Sequence, residues 1–214
     1  MNIPMNTYLV TQANLSAERS TETVVREAID GGVDVVQLRE KETSARERYR
    51  LARTLRDLTS ETGVTFVVND RVDIAAAVGA DGVHLGDDDL PVTVARAQLG
   101  ENALVGRSVS TVEGARRAVD EGADYLGVGA VFSTSSKDVA EEQSNVGVET
   151  VAAIADAVDV PFVAIGGITA ENAAEVVEAG ADGVAVISEI TAASEPETAT
   201  RRLASAVESG RKER

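Results

Sequence analysis

VGADGVHLG, residues 78–86, holds the end of one element and the start of the next. Gly79 follows a helical pattern and suits a helix C-terminus, Ala80 and Asp81 form a joint, and Gly82 to Leu85 reads as an apolar strand. The phrase recurs as DGGVDVVQLR from Asp30, EGADYLGVGA from Glu121 and AGADGVAVIS from Ala179. A helix-to-strand joint is thus used repeatedly. Working outward, the strands read as Thr7 to Thr11, Val35 to Arg39, Thr65 to Asn69, Gly82 to Leu85, Leu104 to Ser108, Tyr125 to Ala130, Phe162 to Gly167 and Gly183 to Ser188. Amphipathic helical patterns such as TVVREAID, RERYRLARTLRDLT, VEGARRAVDEG and AENAAEVVEAG lie between them. Continuous apolar strands alternating with helices predict a parallel sheet covered on both faces. A single α/β domain over residues 1–214 follows, a (β/α)₈ TIM barrel with outer helices and a polar C-terminal tail from 208 to 214. An open doubly wound sheet is the less suitable alternative, because no strand runs into a GxGxxG turn.

Composition narrows the function classes. With 43% hydrophobic residues in 214, one sizeable core is available. Cysteine is absent, so disulfides and thiolate metal sites are excluded, and a cytoplasmic location is expected. No apolar run approaches the roughly 20 residues of a membrane span, and MNIPMNTYLVT has no signal-peptide pattern. A net charge of −16 argues against nucleic acid and anionic membranes as partners; a homo-oligomer is compatible with it, and the expectation of phosphorylated small-molecule substrates comes from the strand ends below. Lysine occurs only at 41, 137 and 212, so the two internal lysines draw attention as anion ligands.

In such a barrel, chemistry belongs at the C-terminal ends of the strands. Strand 2 ends QLREK, and a side-chain period of two sends Gln37, Arg39 and Lys41 to one face, with Glu40 and Glu42 on the other. Strand 3 ends VVNDR, with Asn69 inward and Asp70 at the start of a helix; strand 4 ends HLGDDDLP, with Asp89 shortly before Pro91. Each aspartate reads either as a helix cap or as a metal ligand. Together, beside the cations of strand 2, they suit a diphosphate bridged by Mg²⁺. Ser108 stands at the rim after strand 5, Lys137 in a long hydroxyl-rich loop after strand 6, and Gly166 and Gly167 after strand 7, where barrels commonly hold a phosphate. The one histidine, His84, reads as a packing residue or as support behind the site, and no general base stands out.

QLREK, VVNDRVDIAAAVGADGVHLGDDDL, GRS, the TSSK of FSTSSKD, AIGGIT and GVAVIS resemble, in order and spacing, the thiamine-phosphate synthase family. The resemblance implies a transferase that joins hydroxymethylpyrimidine diphosphate to thiazole phosphate, or its carboxylated form, and releases diphosphate. It implies that Gln37, Leu38, Arg39, Glu40, Lys41 and Asn69 bind the pyrimidine diphosphate, with contacts from Ser108 and Lys137. Thr134, Ser135, Ser136, Gly167, Ile187 and Ser188 would bind the thiazole phosphate, and Asp70 and Asp89 would hold one Mg²⁺. Three departures stand out: Asp87 replaces the usual Gln and adds negative charge near the metal, GAVFST lacks a proline and is expected to loosen the lid, and the TSSKD segment is one residue short. Two rival readings are a thiazole tautomerase-like relative, which wants an acid or base at the mouth, and a non-catalytic precursor sensor, which would dispense with the cations. The acidic surface itself carries an expectation: self-repulsion is screened by salt, so the melting temperature rises toward molar salt, and a salt-independent melting temperature overturns this.

Overall fold

The computed structural model describes residues 4–134 and 145–214. Eight parallel strands, β1 Thr7–Val10, β2 Val35–Leu38, β3 Thr65–Asn69, β4 Gly82–Leu85, β5 Leu104–Val109, β6 Tyr125–Gly129, β7 Phe162–Ile165 and β8 Gly183–Val186, close into a barrel in chain order. Closure is made by β1 against β8, with Tyr8 paired to Ala185. Around it run α1 Thr21–Asp30, α2 Ala45–Thr62, α3 Val72–Val78, α4 Val92–Leu99, α5 Val112–Asp120, α6 Gly147–Ala155, α7 Ala173–Glu178, α8 Ser188–Thr191 and α9 Pro196–Glu213. Most strands end one or two residues before the expected limit, where the chain turns out over the mouth.

Strand alternation divides the apolar side chains into two cores. Leu9, Val36, Leu38, Phe66, Val83, Leu126 and Val184 face the helices, whereas Tyr8, Val35, Val67, Tyr125, Val163 and Ala185 fill the barrel. Helix ends are set locally. Ser44 and Glu47 form a reciprocal capping box at α2, and Ser20 and Thr111 cap α1 and α5.

The repeated joint has a structural purpose at the bottom of the barrel. In each copy a glycine with positive φ (Gly32, Gly79, Gly122 or Gly180) ends the helix, and the next residue donates back to the carbonyl five positions earlier, as Ala80 does to Ala75. The aspartate that follows then clasps the preceding strand. Asp34, Asp81, Asp124 and Asp182 accept from the amides of Thr7, Phe66, Val105 and Phe162 at 3.0, 2.8, 2.7 and 2.9 Å. Their own amides donate to the carbonyls of the same four residues at 2.8–3.0 Å. Arg56 and Arg96 brace two of these carboxylates.

Residues 208–213, expected as a polar tail, are polar and mostly exposed but helical. They continue α9, because Val207 and Gly210 are buried, and a Cβ on Gly210 would meet the Ala174 carbonyl of α7 at 2.4 Å. Among the described residues no helix is long and apolar enough to cross a membrane.

Replacing a clasp carboxylate with a methyl strands a partly buried amide, which costs about 1–3 kcal/mol. Asp182→Ala is expected to lower thermal stability by that amount and Asp182→Asn, which keeps an acceptor oxygen, by less; equal melting curves for the two variants would contradict the clasp.

Candidate active site

The C-terminal strand ends open on a cavity of about 680 Å³. Of the expected site residues, Arg39, Lys41, Asn69, Asp70, Asp89, Ser108, Thr134, Gly167, Ile187 and Ser188 line it. Ser135, Ser136 and Lys137 lie outside the described residues. A shallower recess of about 430 Å³ on the outside, between α9 and the segment preceding α7, receives no strand end.

The cationic side comes from β2. The Arg39 amide donates to Thr11 Oγ1 at 3.0 Å and its Nη1 to Gln12 Oε1 at 2.7 Å, so the chain after β1 steers this guanidinium. Arg48 of α2 donates to the carbonyls of Lys41 and Thr43 and holds the loop that carries Lys41. Two members of the QLREK run are placed differently from what the resemblance implies. Leu38 is fully buried among the residues facing the helices, as strand alternation requires, so its side chain cannot reach a ligand. Glu40 turns its carboxylate to the Ala13 amide at 2.9 Å and the Thr21 hydroxyl at 3.1 Å, tying down the segment before α1. Gln37 points into the barrel as its phase predicts, yet sits beneath the cavity, donating to Tyr8.

The acidic side comes from β3 and β4. Asp70 has a left-handed backbone with φ of 62°, a conformation aspartate tolerates better than most residues and one found at functional turns. Its Oδ2 is 3.2 Å from Lys41 Nζ. Neither aspartate is a helix cap: Arg71 and Pro91 occupy the N-cap positions of α3 and α4 without side-chain caps. Instead Asp89 Oδ2 accepts from the Gly86 amide at 2.6 Å, which folds the DDD loop back and brings Asp89 against Asp70. Burial, together with the hydrogen-bonding contact to Asp70, raises the Asp89 pKa above its ordinary value; the Gly86 amide and Lys41 oppose this. Two carboxylates in that state fit a hard divalent cation. Among the described residues no third acidic or imidazole ligand joins them, so the remaining positions suit substrate oxygens and water.

Asp87 lines the same cavity and is paired. Its Oδ1 accepts from Arg107 Nη2 at 2.8 Å, which offsets part of the charge that it brings. The segment after β6 is not loosened at its start, since Val131 and Phe132 donate to the carbonyls of Ile165 and Gly166 at 2.9 and 3.0 Å. Glycine at 166 and 167 permits this approach, because a Cβ on either would fall within 2.6 Å of residues 130–133.

Sequence reasoning missed Gln12, Tyr8 and Tyr125. The period of two does place both tyrosines inside the barrel, but their roles depend on partners far along the chain.

A barrel mouth with two cations beside a carboxylate pair, facing a glycine turn, is that of an enzyme acting on phosphorylated small molecules. Residues 7–190 match the thiamine monophosphate synthase family. A thiamine-phosphate synthase of Haloarcula marismortui is 65% identical over 210 residues, 98% of this chain and 100% of the relative. One from Moorella thermoacetica is 50% identical over 196 residues, 92% of each. A solved thiamine phosphate pyrophosphorylase from Pyrococcus furiosus superposes with a TM-score of 0.89 at 41% identity, covering 97% of this chain and 98% of that one. The chain belongs to the thiamine-phosphate synthase family.

The raised Asp89 pKa has a consequence for stability without metal. The folded state holds the Asp89 proton more tightly than the unfolded chain, so stability declines as pH climbs from about 4 through the raised folded value. Asn cannot ionise. Asp89→Asn is therefore expected to melt no lower than the parent at neutral pH with chelator present; a clearly lower melting temperature would mean that the carboxylate stabilises the fold.

Proposed function

We propose that this mouth binds hydroxymethylpyrimidine diphosphate across β2 to β5 and thiazole phosphate, or its carboxylated form, against β6 to β8. As a member of its family the chain is a transferase that forms thiamine phosphate. The observation that carries the assignment of sides is Lys41 Nζ at 3.2 Å from Asp70, with Asp89 alongside.

Arg39 and Lys41 orient the diphosphate and stabilise the charge that builds on it as it leaves. The carbon–oxygen bond of the pyrimidine methylene breaks with its electron pair going to diphosphate. The electron-poor methylene, supported by the ring's own amino group, accepts the thiazole nitrogen lone pair, and the new carbon–nitrogen bond gives thiamine phosphate. A Mg²⁺ ion held by Asp70 and Asp89 would supply charge neutralisation to the diphosphate oxygens when bound. Gly167, Ile187 and Ser188, with Thr134 to Ser136, receive the thiazole phosphate and hold the nucleophile in line; Ser108 and Lys137 meet the pyrimidine substrate. Asn69 faces the pyrimidine side of the cavity.

Chemistry of this kind needs no protein base at the mouth. His84 supports that reading over a proton-moving tautomerase, since both its ring nitrogens are engaged below the cavity, by Tyr125 and Ser108. The intact cations support it over a sensor.

Incubation with both precursors and Mg²⁺ is expected to give thiamine phosphate and to stop with chelator. Asp89→Asn, folded as the parent, is expected to lose on the order of 10–100-fold in activity. Chelator-insensitive product formation would remove the metal, and full activity of the variant would remove Asp89 as its ligand.

A further inference from the structure

Five side chains from five strands form one hydrogen-bonded line across the inside of the barrel. Gln37 Nε2 lies 2.7 Å from Tyr8 Oη, which is 2.9 Å from Tyr125 Oη. Tyr125 Oη is 3.1 Å from His84 Nδ1, and His84 Nε2 is 2.9 Å from Ser108 Oγ. The first four are buried, and only Ser108 reaches the cavity. Polar groups in this position are costly unless paired, and apolar residues would fill the space as well. Room for the line is also reserved for it. A Cβ on Gly106 would fall 2.1 Å from the Tyr125 ring, and one on Gly127 would fall 3.0 Å from the imidazole.

Such a line has a direction, and its first member sets it. The Gln37 amide nitrogen only donates, so Tyr8 accepts there, and the buried Tyr8 hydroxyl hydrogen finds an acceptor in the line when it is donated to Tyr125. Tyr125, with one proton, gives it to Nδ1. An imidazole that accepts at Nδ1 carries its hydrogen on Nε2 and donates it to Ser108 Oγ. The Ser108 hydrogen is then turned toward the cavity. Burial pushes the Tyr8 phenol up to about 12 and the Tyr125 phenol well above its usual value, so both keep the proton this sequence requires at neutral pH.

We propose that the line fixes Ser108 as a hydrogen-bond donor toward the substrate, so that the group it meets is an acceptor: a pyrimidine ring nitrogen or a diphosphate oxygen. Tyr8, Tyr125 and His84 are positioning residues that act through Ser108. The proposal rests on the reading above that Ser108 meets the pyrimidine diphosphate.

The chain has a single histidine, so ¹⁵N-histidine labelling yields one imidazole and no assignment problem. The parent protein in neutral solution is expected to show a neutral ring with hydrogen on Nε2 and none on Nδ1. Hydrogen on Nδ1, in the opposite tautomer or a doubly protonated ring, overturns the direction of the line. Tyr125→Phe and, one link earlier, Tyr8→Phe are each expected to turn the single tautomer into a mixture. Each is also expected to weaken binding by roughly 3–10-fold, the size of one misdirected hydrogen bond. Two probes separate the acceptors: loss confined to unphosphorylated hydroxymethylpyrimidine assigns the ring nitrogen, and loss confined to inorganic diphosphate with Mg²⁺ assigns the oxygen. Unchanged affinity for both probes in folded variants overturns the proposal. The tautomer is read without substrate, so parent protein that binds neither probe counts against the reading of the site while the spectrum still judges the line.

Discussion

The base of the barrel depends on an aspartate that grips the preceding strand twice, by its carboxylate and by its amide. Four such clasps set the start of every odd strand against the even strand that follows. Their hold reaches the mouth because side chains alternate with a period of two: a slip of one residue would turn Gln37 and Asn69 toward the helices and Leu38 into the barrel. Placement of the site is thus governed from the opposite end of the sheet. The glycine before each aspartate takes part, since a left-handed residue is what lets the helix stop and the next chain segment enter the sheet at that point.

Above that base the mouth is less settled than the scaffold. Asp70 occupies a backbone region that most residues avoid, and Asp89 is driven against it although both carry carboxylates. Lys41 offsets part of the repulsion from a largely exposed position. Such an arrangement makes little sense as a contribution to stability, and it agrees with the proposed site, where a cation and a diphosphate would relieve the repulsion together. The scaffold can carry this tension because it is supported elsewhere, by two apolar cores and the clasps beneath.

Much of this was legible in the sequence because it depends on local rules. The four helix-to-strand joints, the phase of Gln37, Arg39 and Lys41, and the convergence of aspartates on neighbouring strand ends follow from periodicity and connection order. Other features depend on partners that local rules do not reveal. From local rules alone Asp89 reads as a helix cap as well as a ligand, and only the Gly86 amide, which holds it, separates the two; Glu40 belongs to the binding run by sequence, yet its carboxylate is occupied by Ala13 and Thr21. Asp87 looked like extra charge at a metal because Arg107, 20 residues on, reaches it only in the closed barrel. Tyr8 and Tyr125, 117 residues apart, read as core aromatics, and only closure brings their hydroxyls together.

The clasps also divide the molecule. Each one joins β1 to β2, β3 to β4, β5 to β6 or β7 to β8, so every two-strand quarter secures its own base with its own glycine and aspartate. The base is therefore built in repeating two-strand units, while the residues of the mouth differ from quarter to quarter. Scaffold and chemistry occupy opposite ends of the same strands, and the repeat marks the scaffold end alone.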